Sequence, residues 1–200
     1  GLLMELPVYE WSVVLVARAT GLAHVEAARV VSLTCFYLSL PALYLLLGRL
    51  GLTWPRRLLA LVLVLTCPLY IYYSRAFLMD AMEFMACAWF LLAFVRTMDT
   101  RRWPWLVLAA VAGSVAALVK GFMLAVWLLP AAGYGAWLLW RSLRPWTGWR
   151  VPLVTTAWGL ATIVVPLALL RAWIAYTDPI KEQHASAWIF TASNLSLGNW

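Results

Sequence analysis

Long apolar runs separated by short charged gaps dominate the chain. Stretches free of Asp, Glu, Lys, Arg and His cover 30–48, 58–74, 103–119, 121–140 and 151–170. A shorter one, 84–95, becomes long enough when it starts near Ala81 and keeps Asp80 and Glu83 at its polar end. Such runs approach the roughly 20 apolar residues that carry a helix across about 30 Å of hydrocarbon. Lipid offers backbone groups no partner outside their own helix, so the runs predict helices, and no strand alternation competes with them. Pro41, Pro68, Pro130 and Pro166 interrupt four of the runs, which a bundle tolerates because neighbours re-satisfy the freed carbonyls. The pattern predicts an all-α polytopic transmembrane helix bundle of about six crossings in a single transmembrane domain. Residues 30–175 hold the six helices, and 176–200 form an outer polar segment with aromatic anchors. Residues 1–29 make an outer loop, within which 8–20, VYEWSVVLVARAT, is too short to span and reads as an interfacial helix.

The gaps give the direction. Arg49, Arg56 and Arg57 follow the first run; Arg96, Arg101 and Arg102 precede the fourth; Arg141, Arg144 and Arg150 precede the last. These alternate with gaps that lack arginine clusters and so mark the cytoplasmic side. Trp54, Trp103, Trp105, Trp137, Trp140, Trp146 and Trp149 gather at the same boundary as an interfacial belt. Both ends of the chain then face outward. Seven of the eight acids, all but Asp99, fall on that outer face, together with Lys120 and both histidines.

Composition agrees and removes other classes. The chain is 65% apolar and 12% charged, whereas a soluble domain is about half apolar and a quarter charged. A water-soluble globule, a disordered chain and a collagen-like repeat are excluded. The net charge of +7 does not indicate nucleic acid, because the basic residues sit in inter-helix gaps and not on one polar face. Cys35, Cys67 and Cys87 are odd in number, lack a CxxC pair and lie in apolar runs, so they read as small hydrophobes. The opening GLLMELPVYE carries no signal peptide or initiating Met, and the chain is expected to be a piece of a longer protein.

Four places carry candidate chemistry. Glu5, in MELPVYEW, is either a solvated charge, or a ligand for a hard divalent cation or a proton acceptor. In SRAFLMDAMEF, Asp80 and Glu83 are three apart and share a helix face near the positive N-terminal end, with Arg75 just before them. They either stabilise a helix start or line an outer cavity for a charged substrate. Lys120, in ALVKGFM, lies between two apolar runs with no acid within ten residues. It either snorkels to headgroups or holds a phosphate as a point charge, and Gly121 permits a tight reversal beside it. His184, in KEQHASAW, is either solvated or a metal ligand or proton carrier. No GxSxG, HExxH, Walker or dinucleotide motif is present.

In order, MELPVYEWSVVLVARATGL, EAARVVSL, CPLYIYYSRAFLMD and ALVKGF resemble the membrane glycosyltransferases of the type-C fold. Within them the series is most similar to bacterial relatives of the dolichyl-phosphate-mannose protein mannosyltransferases and to the lipid A aminoarabinose transferases. The resemblance implies a metal-binding acid at Glu5, followed by Pro7. The lysine that those enzymes place between the two is Leu6 here. It also implies that Ser74, Arg75 and Asp80 form the family's Ser-Arg-x-x-x-x-Asp stretch, that Lys120 and Gly121 form its outer Lys-Gly, and that His184 stands at a metal-binding histidine. The family's first outer acidic motif, which supplies the proposed catalytic base, is absent, so that base is expected before Gly1.

The implied activity is transfer of a sugar from a polyprenyl-phosphate carrier to an acceptor lipid, glycan or protein, on the outer face of a bacterial inner membrane. Arg75, Asp80 and Lys120 would bind substrate or phosphate, and Glu5 and His184 a divalent metal ion. A non-enzymatic transporter or scaffold bundle is the rival. Glu5, the Arg75–Asp80 junction and Lys120 are expected to share one outer pocket.

Overall fold

The computed structural model describes residues 7–75, 79–143 and 150–182, and among them every regular element is a helix. Seven follow in order: α1 (Val8–Thr20), α2 (His24–Arg49), α3 (Trp54–Thr66), α4 (Pro68–Arg75), α5 (Asp80–Thr100), α6 (Trp103–Leu143) and α7 (Arg150–Glu182).

Their ends follow from local chemistry. Gly21 adopts φ 73°, a left-handed conformation open to glycine, and its N–H caps α1 on the Ala17 carbonyl at 2.9 Å. Pro55 lies in the first turn of α3, where its missing N–H costs nothing. Pro68 crowds the residue before it, so Cys67 turns extended (ψ 119°) and α3 stops there. The run predicted to cross at 58–74 is therefore two helices, α3 and α4. Helices α2, α5 and α7 and the two legs of α6, Trp103–Gly121 and Met123–Ser142, are each long and apolar enough to span a membrane. Helix α2 starts at His24, ahead of the expected 30, and α7 continues to Glu182, past 175.

Polar contacts fix the two ends of the bundle. Arg49, closing α2, and Tyr134, in the second leg of α6, both meet Asp99 at the end of α5 (3.2 and 2.5 Å). At the other end, the start of α5 meets Lys120, between the two legs of α6. Helix α6 is thus a hairpin that leaves one end of α5, reaches its start and returns. The path from Arg49 to Asp80 must regain the opposite end, and residues 54–75 at 1.5 Å each give the required ~33 Å. Among the described residues five helices are thus long and apolar enough to span, one fewer than the six expected, because the run at 58–74 is divided between α3 and α4.

Helix α5 is the central post: its apolar window is 78% buried, against 11% for the second leg of α6 and 17% for α7. Alanines let the backbones close. Ala86 and Ala93 of α5 pack with Ala109, Ala112, Ala116 and Ala117 of α6. Where α5 is bulky its neighbours are small: Phe90 lies against Gly113 and Phe94 near Gly135. Helix α3 buries none of its residues, and Trp54, Leu59 and Leu63 are exposed, as expected of a lipid-facing helix. Trp103, Trp137 and Trp140 are exposed at the Asp99 end, where the belt was expected. Cys35 and Cys87 are buried and unbridged, in keeping with their reading as hydrophobes.

Candidate active site at the start of helix α5

Lys120 is where α6 breaks. Its backbone is extended (φ −158°, ψ 78°) between two helical legs, which puts its side chain beside the first turn of α5. There its ammonium donates to Asp80 Oδ1 at 2.7 Å, forty residues away in sequence. The two side chains are 20% and 25% exposed, which makes this a partly desolvated ion pair. Gly121 lets α7 approach: a Cβ there would stand 3.1 Å from both Leu170 methyls.

One turn into α5 the surroundings change. Glu83 is buried (3% exposed), and the Cys87 thiol donates to its Oε1 at 3.8 Å. Phe84 shares a face with Asp80 and packs on Tyr70 of α4 and Trp127 of α6, with ring centroids at 4.9 and 5.8 Å. An aromatic cluster supplied by three helices therefore lies one turn inward of Asp80. On the far side of α5, Met85, Ala86 and Trp89 form with Leu108, Val111, Ala112 and Val115 an apolar groove of about 310 Å³. It begins five residues, about 7–8 Å, inward of both Asp80 and Lys120. Trp89 is fixed there by donating its indole N–H to the Leu38 carbonyl at 2.9 Å.

Helix α1 closes the same end. Tyr9, Val13 and Ala17, at i, i+4 and i+8, form its buried stripe. They join Ala81 and Met82 of α5 and Val119 of α6 in one cluster, next in sequence to Asp80 and Lys120. The Tyr9 hydroxyl pairs with Ser32 Oγ at 2.8 Å and donates to the Ala28 carbonyl at 3.2 Å. Burial pushes the Tyr9 pKa above its ordinary 10.0, and the Ser32 hydrogen bond partly offsets this.

The structure brings Asp80 and Lys120 together, and it sets the helix that follows Glu5 against their neighbours. Glu5 and His184 lie outside the described residues, as does the Arg75 side chain, although Arg75 closes α4. Among the described residues, no three of His, Cys, Asp and Glu come together to hold a metal ion. The sequence reading missed Tyr9 as a buried anchor, although the Tyr9–Val13–Ala17 spacing signals it. Glu83 does stand in the first turn of α5, one of its two expected places, but the sequence did not reveal that it is the more deeply buried of the two acids.

The profile of the dolichyl-phosphate-mannose-protein mannosyltransferases matches residues 5–194. The chain belongs to that family. It is a membrane glycosyltransferase of the protein-mannosyltransferase, type-C group, in agreement with the resemblance in its motifs. Its activity class is broadly that of a glycosyltransferase, and its apolar helices make it an integral membrane protein. No curated protein and no solved structure gives a match. The family match spans the α1 cluster, Asp80 and Lys120 alike, so all three belong to the family domain.

Proposed function

We propose that this mannosyltransferase relative moves a sugar from a polyprenyl-phosphate carrier to an acceptor hydroxyl, at the Asp80–Lys120 end of the bundle. In this reading that end faces away from the cytoplasm. The observation that carries it is the ion pair itself. A lysine at a helix break and a carboxylate at a helix start meet at one end of an otherwise apolar bundle, and ionisable groups at such depth mark substrate sites.

In the reaction the bond between the sugar's anomeric carbon and the phosphate oxygen breaks, and its electron pair leaves with the phosphate. The acceptor oxygen bonds the same carbon and gives up its proton to a base. Lys120 supplies a fixed positive charge to the departing phosphate. Asp80 holds that ammonium in place before substrate arrives, and Arg75, which closes α4, is a further candidate for binding substrate. Phe84 and Trp127 give the sugar an apolar floor, and the groove along Met85 and Val115 takes the prenyl chain. Glu5 and His184 are the residues that would hold a divalent metal ion, which supplies further charge to the phosphate when bound. Transport is the weaker reading, because 84–95 of the central helix carries no charged residue and a transporter path would need polar groups near the midplane.

The test is sugar transfer in membranes containing the whole protein. Lys120→Ala and Glu5→Gln should each lower transfer about a hundredfold, the scale of losing one charge-stabilising donor. Undiminished transfer in both variants would overturn the assignment.

A further inference from the structure

The opposite end of the bundle holds a second group of charges that sugar transfer does not use. Arg96, Arg101 and Arg102 surround the turn from α5 to α6. Among the described residues none of the three pairs with a carboxylate. The nearest acid in sequence, Asp99, is already held by Arg49 and Tyr134. Arg96 is half-buried: its guanidinium lies over the Trp105 ring, 5.4 Å from the centroid, and its Nε is closed off with no acceptor among the described residues. Arg101 donates to Thr155 Oγ1 of α7 at 3.2 Å, which ties the turn to a third helix. Trp103 is 70% exposed and packs at a tilt against Trp158, with ring centroids 5.5 Å apart.

Arg101 is also the one described non-glycine residue with positive φ (51°), at the C-terminal cap of α5. Glycine takes that conformation freely and arginine does not. A side chain kept there against backbone preference points to use of its guanidinium. Three unneutralised guanidiniums beside one exposed indole and two half-buried ones, at the level where a spanning bundle meets headgroups, match the phosphodiester of a lipid. Arginine forks bind phosphate oxygens in pairs, and tryptophan sits at headgroup depth.

We propose that the α5–α6 turn, with Arg96, Arg101 and Arg102 framed by Trp103, Trp105 and Trp158, binds the headgroup phosphate of an anionic glycerophospholipid. This site lies at the end of the bundle away from Lys120 and is independent of the transfer reading. It anchors the central helix and α7 to the membrane surface.

The experiment is native mass spectrometry of the full chain released from micelles, with phosphatidylglycerol or phosphatidylcholine added and inorganic phosphate as competitor. Phosphatidylglycerol should bind at least tenfold more tightly than phosphatidylcholine, and excess inorganic phosphate should not displace it. Arg101→Gly, which relieves the backbone, and Arg102→Ala, at an exposed position, should together remove that preference without loss of folded protein. Arg141→Ala, at the same end but stacked on Trp137, should keep it. Three results would each overturn the proposal: no preference in the unaltered chain, displacement by inorganic phosphate, or an equal loss in Arg141→Ala from diffuse charge alone.

Discussion

Replacing either member of the Asp80–Lys120 pair tests whether the start of α5 and the break in α6 are held together by charge. At 2.7 Å and an effective dielectric near 20, the gross attraction is about 6 kcal/mol. Desolvation of both groups and the ordering of the lysine side chain, about 2 kcal/mol, offset most of it. Exposed pairs contribute about 0–1 kcal/mol, and breaking a fully buried pair costs about 3–5 kcal/mol. With exposures of 20% and 25%, this pair falls between. Lys120→Met alone, or Asp80→Asn alone, should therefore cost about 2 kcal/mol. The double variant should cost little more than either, a coupling of about 1–2 kcal/mol. Reversible unfolding in mixed micelles, followed by circular dichroism across the four-member cycle, measures it. Single effects that simply add, within about 0.3 kcal/mol, would refute the reasoning and leave the contact as two charges that happen to be near.

Three further outcomes follow from the packing. Gly113→Ala would place a methyl 2.7 Å from the Pro166 ring and 2.9 Å from Phe90. Neither can yield, so unfolding should show a loss of about 1–3 kcal/mol; Gly121→Ala meets only the mobile methyls of Leu170 at 3.1 Å and should cost under about 1 kcal/mol. Tyr9 has a folded pKa above its unfolded 10.0. Its contribution to docking α1 is therefore whole below pH 10.0 and lost as pH rises through the folded value. Amide exchange in α1 should accelerate in that alkaline range, and Tyr9→Phe should abolish the pH dependence at a cost of about 1 kcal/mol in lost hydrogen bonds. Asp99→Asn should cost about 1–2 kcal/mol in the same unfolding assay, because it weakens links from α5 to both Arg49 and Tyr134.

The crossings were legible because lipid imposes one rule on every residue of a span. Apolar run lengths and arginine gaps follow that rule directly, and even the break at Pro68 is written in the sequence. The Asp80–Lys120 contact was legible only as two separate candidates at one membrane face. No local pattern links residues forty apart, and the pairing appears only once α6 turns back at Lys120. The burial of Glu83 was not legible for a related reason. Its spacing from Asp80 places both on one face of α5, but burial depends on what α5 packs against. Tyr9 carried a helical stripe that the short length of α1 obscured. The left-handed backbone at Arg101 leaves no trace in sequence, since a cap glycine is the only residue that announces it.

In the proposed mechanism the phosphate of the lipid carrier lies at the start of α5, at the end of the bundle opposite the α5–α6 turn. Photo-labelling of the full chain, with a polyprenyl phosphate that carries a diazirine on the isoprene next to the phosphate, tests this directly. Labelled peptides should come from residues 79–89 and 111–124, and Lys120→Ala should reduce the label. Label confined to the arginine-rich end around Arg49, Arg96 and Arg101 would contradict it.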